Sequence, residues 1–221
     1  MENKFHLCQQ LLSKIKTKRS EIRERDFIAR ILKSNELEKA YQFRYKVFCE
    51  ELKWLPINKE KKEMDRYDRC SIHFGVFDKK NKLIGYGRFI LSKNNFMLEK
   101  EFKELVPNHI IIKKNALEVS RVAIDNSLRN MSNFKNNYNT PFLLLLKIMY
   151  QWSVKNKIRY WYITIKPDFL KSLQKLFPWK QIGKIKYYQP KVATTAAMLD
   201  LKEAENFVFR NNRKLFEWFT K

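Results

Sequence analysis

Six ionisable residues stand at positions where the hydrophobic pattern calls for apolar ones. Arg44 shares a helix face with Phe48, one turn on. Asp65 and Asp68 lie in an irregular stretch ahead of a hairpin, Arg88 interrupts the strand Gly85–Ile90, and Glu118 and Arg121 interrupt the strand Ala116–Ile124. Ionised groups inside half-buried strands are costly unless they are paired. Three carboxylates and three guanidinium groups balance to zero, so the pattern predicts an internal network across neighbouring strands; the other reading is an exposed sheet face with each group in solvent. A carboxylate in such a strand suits proton transfer from an amine, whose free pKa of about 8 makes deprotonation mild work. Guanidinium groups beside it suit an acidic substrate group.

Other constellations carry less. Cys49, Cys70 and His73 lack the spacing of a zinc site, and no metal is expected. His6 and His109 have no partner that the sequence identifies. No phosphate-binding glycine loop, His-Glu-x-x-His or Gly-x-Ser-x-Gly is present.

The elements that must position these residues can be read in order. Residues 1–25 alternate apolar and basic side chains and predict an amino-terminal helical appendage, leaving 26–221 as one domain. Phe27–Leu32 predicts a strand, and Asn35 with Glu38 opens a helix carrying Leu37, Ala40, Tyr41, Arg44, Phe48 and Leu52. Ser71–Phe77 and Leu83–Leu91 form a hairpin. After a short helical stretch near Leu98–Leu105, Ala116–Ile124 is a strand whose apolar alternation skips a beat between Val119 and Val122, which predicts a bulge. Thr140-Pro141 caps an apolar helix running to about Lys155. A strand at Arg159–Ile165, a helix from Pro167 to Phe177, strands at Ile182–Tyr188 and Val192–Leu199, and a helix near Glu203–Phe219 complete the chain. The expected class is α/β, a mixed sheet with helices on its faces.

The 221 residues and 44% apolar content suffice for one sizeable domain, and 4 Gly with 6 Pro exclude collagen-like and low-complexity classes. A net charge of +23 suits an anionic partner, nucleic acid, an acidic lipid surface or an acidic protein, the other reading being a solvated charged face. Ten cations against the single Asp168 between Lys155 and Lys191 concentrate it late in the chain. Three widely spaced cysteines fit a reducing compartment, and the longest apolar run, Phe142–Leu146, falls far short of a membrane span. A cytoplasmic location is expected.

The run Arg44-Tyr45-Lys46-Val47-Phe48, then Trp54, Asp65-Arg66-Tyr67-Asp68, Gly85-Tyr86-Gly87-Arg88 and Glu118-Val119-Ser120-Arg121-Val122-Ala123 resembles the acyl-homoserine-lactone (autoinducer) synthases. The related N-acyl amino acid synthases are similar, through Cys49-Glu50 and Ser71-Ile72-His73, while Trp54 looks more like the lactone synthases. The resemblance implies a GNAT fold, whose element order the chain shares: a mostly antiparallel central sheet with a splayed parallel pair and helices on both faces. It implies an N-acyltransferase that moves a fatty acyl group from an acyl-carrier-protein or coenzyme A thioester to the amine of a small acceptor, an amino acid or S-adenosylmethionine, with no bound cofactor. Glu118 becomes the candidate base or amine-positioning group, with Arg121 orienting it or binding the acceptor. Arg44, Phe48, Trp54, Asp65, Asp68 and Arg88 become substrate-binding candidates, and an acyl slot is expected among Phe142–Leu146, Ile148, Met149, Trp161 and Ile163. The segment Leu128–Asn133, where a GNAT pyrophosphate loop would fall, has no glycine, which weighs against coenzyme A. The basic region then reads as a dock for an acidic carrier protein, with Lys171, Lys175 and Lys180 at its centre.

Two readings from other classes compete. Aromatic residues among lysines, as at Trp179, Tyr187 and Tyr188, suit a nucleic-acid-binding module without catalytic activity, though no RNA-binding signature accompanies them. Leu11 and Leu12 followed by Lys14–Arg19 suit peripheral membrane contact.

Overall fold

A computed structural model describes residues 21–91, 96–129, 138–188 and 191–221. The expected amino-terminal helix lies outside them. Within the 1–25 stretch, Glu21–Glu24 (β1) is described and is an edge strand paired antiparallel with Phe27–Ile31 (β2), so these four residues belong to the sheet. The hairpin Ser71–Phe77 (β3) and Leu83–Leu91 (β4) follows, then Ala116–Ile124 (β5), Tyr160–Ile165 (β6), Lys180–Gln181 (β7), Lys186–Tyr188 (β8) and Val192–Asp200 (β9). The order across the sheet is β1-β2-β3-β4-β5-β6-β9-β7, with β8 also on β9.

Every pairing is antiparallel except β5 with β6. That parallel pairing covers Ala116–Val119 against Tyr160–Ile163, and β5 continues to Ile124 with no strand partner on this side among the described residues. The two strands therefore splay.

The skipped beat in β5 is a bulge. Tyr86 pairs with Ala123 and Arg88 with Ser120, so Arg121 and Val122 together oppose Gly87. Arg121 has φ of 54°, a left-handed conformation that a non-glycine residue adopts only under tertiary constraint. Regular alternation would send Arg121 to the opposite face from Ser120; the bulge turns it back and leaves Val122 to face the apolar side. Gly87 fits the crossing because a Cβ there would meet the Met149 sulfur at 3.0 Å.

Leu37–Tyr45 (α1), continued by a π-helical turn at Lys46–Glu51, lies on one face of the sheet, where Ala40, Phe43, Val47 and Phe48 pack on Phe77, Leu83 and Tyr86. Asn126–Arg129 (α2) is a single turn. Pro141–Lys155 (α3) covers the other face; Thr140 caps it by accepting the Leu143 amide at 3.2 Å, and Leu143, Leu144, Leu145, Ile148 and Met149 are wholly buried. Pro167–Gln174 (α4), Leu201–Asn211 (α5) and Arg213–Thr220 (α6) extend this layer.

Three details differ from the sequence reading. The final helix is broken at Asn212, whose side chain accepts the Leu215 amide and starts α6 afresh. The strand expected at Ile182–Tyr188 is interrupted at Gly183, where a Cβ would lie 2.9 Å from the Leu105 carbonyl oxygen. The helical stretch near Leu98–Leu105 is two 3-10 turns, Met97–Glu99 and Lys103–Leu105.

Candidate functional site

Alternation along β3, β4 and β5 puts His73, Tyr86, Arg88, Glu118 and Ser120 on the α1 side of the sheet, between two apolar clusters. Phe43, Phe48 and Tyr86 form one flank, and Ile90, Phe96 and Tyr162 the other. The bulge adds Arg121 to this face. The segment before β3 passes over it and contributes three carboxylates.

These groups form one ion-pair network. Arg44 and Arg88 are wholly buried. Arg44 bonds Glu63 and reaches Asp68 at 2.5 Å; Arg88 forks onto Asp65 at 2.6 and 2.9 Å, touches Asp68 at 2.6 Å and donates to Ser120 at 3.0 Å. Arg121 forks onto Glu63 at 3.0 and 3.1 Å and lies 3.2 Å from Asp65. Three guanidinium groups meet three carboxylates, and the low dielectric makes each bond stronger and each loss dearer. The loop also braces itself: Asp68 accepts the Asp65 amide at 2.7 Å and Asp65 accepts the Tyr67 amide at 2.8 Å.

Charges set the ionisation states here. The Arg88, Arg121 and Arg44 guanidinium groups overcome the desolvation of Asp65 and hold its carboxyl at about 2. Burial pushes His73 down to about 4. Its Nε2 lies 2.9 Å from the Asp68 carbonyl oxygen, which can only accept, so Nε2 carries the proton and Nδ1 accepts the Tyr86 hydroxyl at 2.7 Å.

Glu118 stands apart, which corrects the expected membership of the network: the third carboxylate is Glu63. The Glu118 carboxylate accepts the Met97 amide at 2.5 Å and the Leu98 amide at 3.1 Å, while the bonds of Arg121 go to Glu63 and Asp65, so Arg121 does not orient it. The reason lies in the register: Glu118 pairs across Ile90, towards the apolar flank, while the bulge carries Arg121 to the other end of the site. Burial pushes the Glu118 carboxyl up to about 8 against the two amide donors that favour its ionised form.

Phe48 and Trp54 adjoin the network. Their ring centroids are 6.2 Å apart, and the Arg121 guanidinium lies 5.7 Å from the Phe48 centroid. Phe48 is buried and Trp54 half-buried, leaving an aromatic edge accessible beside a cation.

On the α3 side of β5 lies a narrow apolar cavity, partly open to solvent, with about 60 Å³ of water-accessible space. Val119 and Val122 of β5 and Trp161 and Ile163 of β6 line it where the strands part, with Phe142 and Leu146 of α3. Of the expected acyl-slot residues, these last four face the cavity; Leu143, Leu144, Leu145, Ile148 and Met149 pack into the core. β5 is thus a wall between an apolar cavity and a charged centre, and its bulge is the place where the wall is thinnest in backbone pairing.

Lys171 and Lys175 are exposed and without an ion pair among the described residues, whereas Lys180 bonds Glu203 at 2.6 Å. Arg159 and Lys186 are likewise occupied, by Asp200 and Glu104. Among the described residues no group of three His, Cys, Asp or Glu is placed to hold a metal, and no helix is long and apolar enough to cross a membrane.

Known proteins resemble this chain in sequence and fold. A family model described as autoinducer synthase matches residues 29–207. An acyl-homoserine-lactone synthase of Aliivibrio fischeri is 27% identical over 146 residues, 65% of this chain and 72% of that protein. Among solved structures, TofI in a ternary complex with an inhibitor and MTA superposes with a TM-score of 0.67 at 16% identity, over 82% of this chain and 95% of that one. BjaI, a CoA-dependent acyl-homoserine lactone synthase solved with SAM and isopentyl-CoA, gives 0.66 at 18% over 80% and 82%. FeeM, an N-acyl amino acid synthase from uncultured soil microbes, gives 0.52 at 20% over 81% and 95%. Because the family model covers most of the chain, the whole of the ion-pair network included, the chain belongs to the autoinducer synthase family and is an acyltransferase with a GNAT-like fold.

Proposed function

We propose that the chain transfers a fatty acyl group from an acyl-carrier-protein thioester to the amine of S-adenosylmethionine, giving an N-acyl homoserine lactone. The observation that carries this reading is the splayed, bulged β5, with an apolar cavity on one side and a charged, aromatic centre on the other. The thioester arm enters between β5 and β6, its acyl chain fills the cavity, and the acceptor lies against Phe48, Trp54 and the network. Trp54 and Phe48 offer aromatic faces to a sulfonium cation. His73, the residue that resembles the N-acyl amino acid synthases, has both ring nitrogens occupied, so it does not favour a free amino acid as acceptor.

In the first step the neutral amine attacks the thioester carbonyl. The bulge breaks the regular ladder of β5 and so suits backbone N–H donation to the developing oxyanion, the thiolate leaves, and the proton lost by the nitrogen passes to a base. Glu118, raised to about 8, matches an amine of similar pKa, acting through water. The acceptor's carboxylate then displaces methylthioadenosine from its own γ-carbon and closes the lactone, a step that needs orientation rather than a further base.

Two features support a carrier protein over coenzyme A. The segment Leu128–Asn133 has no glycine, and Arg129 is engaged by Glu51 at 2.6 Å and the Ile124 carbonyl at 2.8 Å. Lys171 and Lys175 leave free positive charge for an acidic partner. Charge reversal at these two lysines is expected to raise KM severalfold for a carrier-protein donor and to leave KM for short free thioesters unchanged. Equal effects on both donors would remove the docking role, and reversal at Lys180, already tied to Glu203, is expected to do less.

The overall reading is tested by expressing the protein in a bacterial host and comparing organic extracts by mass spectrometry with those of a Glu118→Ala control. N-acyl homoserine lactones from the wild type alone are expected. N-acyl amino acids would change the acceptor, and neither product, with tight binding of single-stranded nucleic acid at moderate salt, would replace the reading.

A further inference from the structure

One polar pair interrupts the apolar cavity. The Tyr150 hydroxyl donates to the Glu205 carboxylate at 2.8 Å, and both residues line the cavity wall. Glu205 belongs to the helix face formed by Leu201, Ala204 and Val208, all three buried, so it is the one carboxylate on an apolar stripe. No ion pair neutralises it among the described residues; its partner is a neutral phenol whose own ionisation is suppressed by burial and by that bond.

The pair lies at the far end of the cavity. Phe142 of α3 meets Phe169 with centroids 5.9 Å apart, and Tyr150 meets Phe219 at 6.0 Å. The eight helical steps from Phe142 to Tyr150 separate these two ends by roughly 12 Å at about 1.5 Å per residue. A chain entering where β5 and β6 part would run along α3 towards Tyr150 and Glu205.

We infer that Glu205 and Tyr150 form a polar stop that sets the longest acyl chain the cavity accepts; the inference rests on the proposed acyl-chain role of the cavity. A half-exposed carboxylate held by a single phenol keeps part of its water. A methylene chain running past it would remove that water and return no hydrogen bond, a loss that offsets the gain from further apolar contact. Up to that point each added methylene is worth about fourfold in affinity. Beyond it the gain ends.

Trp161 and Trp179 line the same cavity and report its occupancy. Titrating tryptophan fluorescence with saturated fatty acids of stepwise length is expected to show affinity rising with length and then levelling at a break. In Glu205→Leu the rise should continue for at least two further methylenes, and in Glu205→Gln, still polar, the break should stay near its wild-type position. Glu205→Met serves as a second apolar variant if the leucine variant folds poorly by circular dichroism. A break unmoved in the apolar variants, or moved equally by glutamine, overturns the stop. Product lengths read by mass spectrometry should shift in parallel. If wild-type protein binds the chains but forms no N-acyl product, the acyl-transfer reading fails while the titration still decides the stop; products of unchanged length in the apolar variants sink the stop alone.

Discussion

Arg88→Ala is expected to lower folding stability by about 3–5 kcal/mol, the usual cost of removing one member of a buried ion pair. The wild-type guanidinium is wholly buried and binds Asp65, Asp68 and Ser120 together. Its removal leaves two carboxylates desolvated without their fork. Arg88→Lys keeps the charge but loses the planar geometry, and an intermediate loss is expected. Urea unfolding measures both, and an unchanged midpoint for Arg88→Ala would show that the network contributes nothing to the fold.

The pH dependence of that stability follows from the same groups. Asp65 sits at about 2 in the folded chain against an ordinary 3.8, so its contribution is complete above about 4 and lost as pH falls towards 2. His73 sits at about 4 against 6.5; the folded state resists its protonation, and stability declines as pH falls from 6.5 to 4. The His73 part of the acid destabilisation therefore begins near pH 6.5, set against the opposite slope of Glu118 above about 4.5. His73→Gln should flatten the upper part of the decline and leave the lower part in place.

The second large effect concerns turnover. Glu118→Gln is expected to lower kcat by about 10²–10⁴-fold, the usual range for losing a general base. Because burial raises the Glu118 carboxyl to about 8, the proton-accepting form accumulates as pH rises through 8, and wild-type kcat/KM should climb over that interval. The glutamine variant should lose the climb. A raised carboxyl also makes the folded state hold its proton, so this group's contribution is complete below about 4.5 and falls as pH rises through 8. The acid retained by the wild type at the Met97 and Leu98 amides would give a stability decline towards alkaline pH that the variant lacks. A variant that keeps both its rate and its pH profile would assign Glu118 to holding the Met97–Glu99 turn and nothing more.

Much of this centre was legible because charge at an apolar address is a strong physical anomaly. Arg44, Arg88 and Arg121, with Asp65 and Asp68, could be predicted to pair without knowing their register, and the skipped alternation located the bulge. Glu63 was not legible. It ends the charged run Lys59-Glu60-Lys61-Lys62-Glu63, where no period separates a buried carboxylate from solvated ones, and its one signal is that it stands two residues before Asp65. The error placed Glu118 in the network because alternation alone could not say that a left-handed Arg121 would turn away from it. β1 was hidden for a different reason: the sequence Glu21-Ile22-Arg23-Glu24 is too polar to advertise a strand, as suits an edge that must not recruit a neighbour. Glu205 did leave a trace, as the single acidic residue on the 201–204–205–208 face.

The wall formed by β5 also divides the chain's instructions. Network and acceptor candidates, from Arg44 to Arg121, are encoded before the end of β5, whereas α3, α4, α5 and α6, which line most of the cavity, are encoded after it. In the proposed reading, the choice of acceptor and the choice of acyl chain are written in consecutive halves of the polypeptide, which meet at β5 and where α3 packs on β2, β3 and β4. On that reading, a single crossover downstream of Ile124 would exchange the tail of the signal while leaving its head intact.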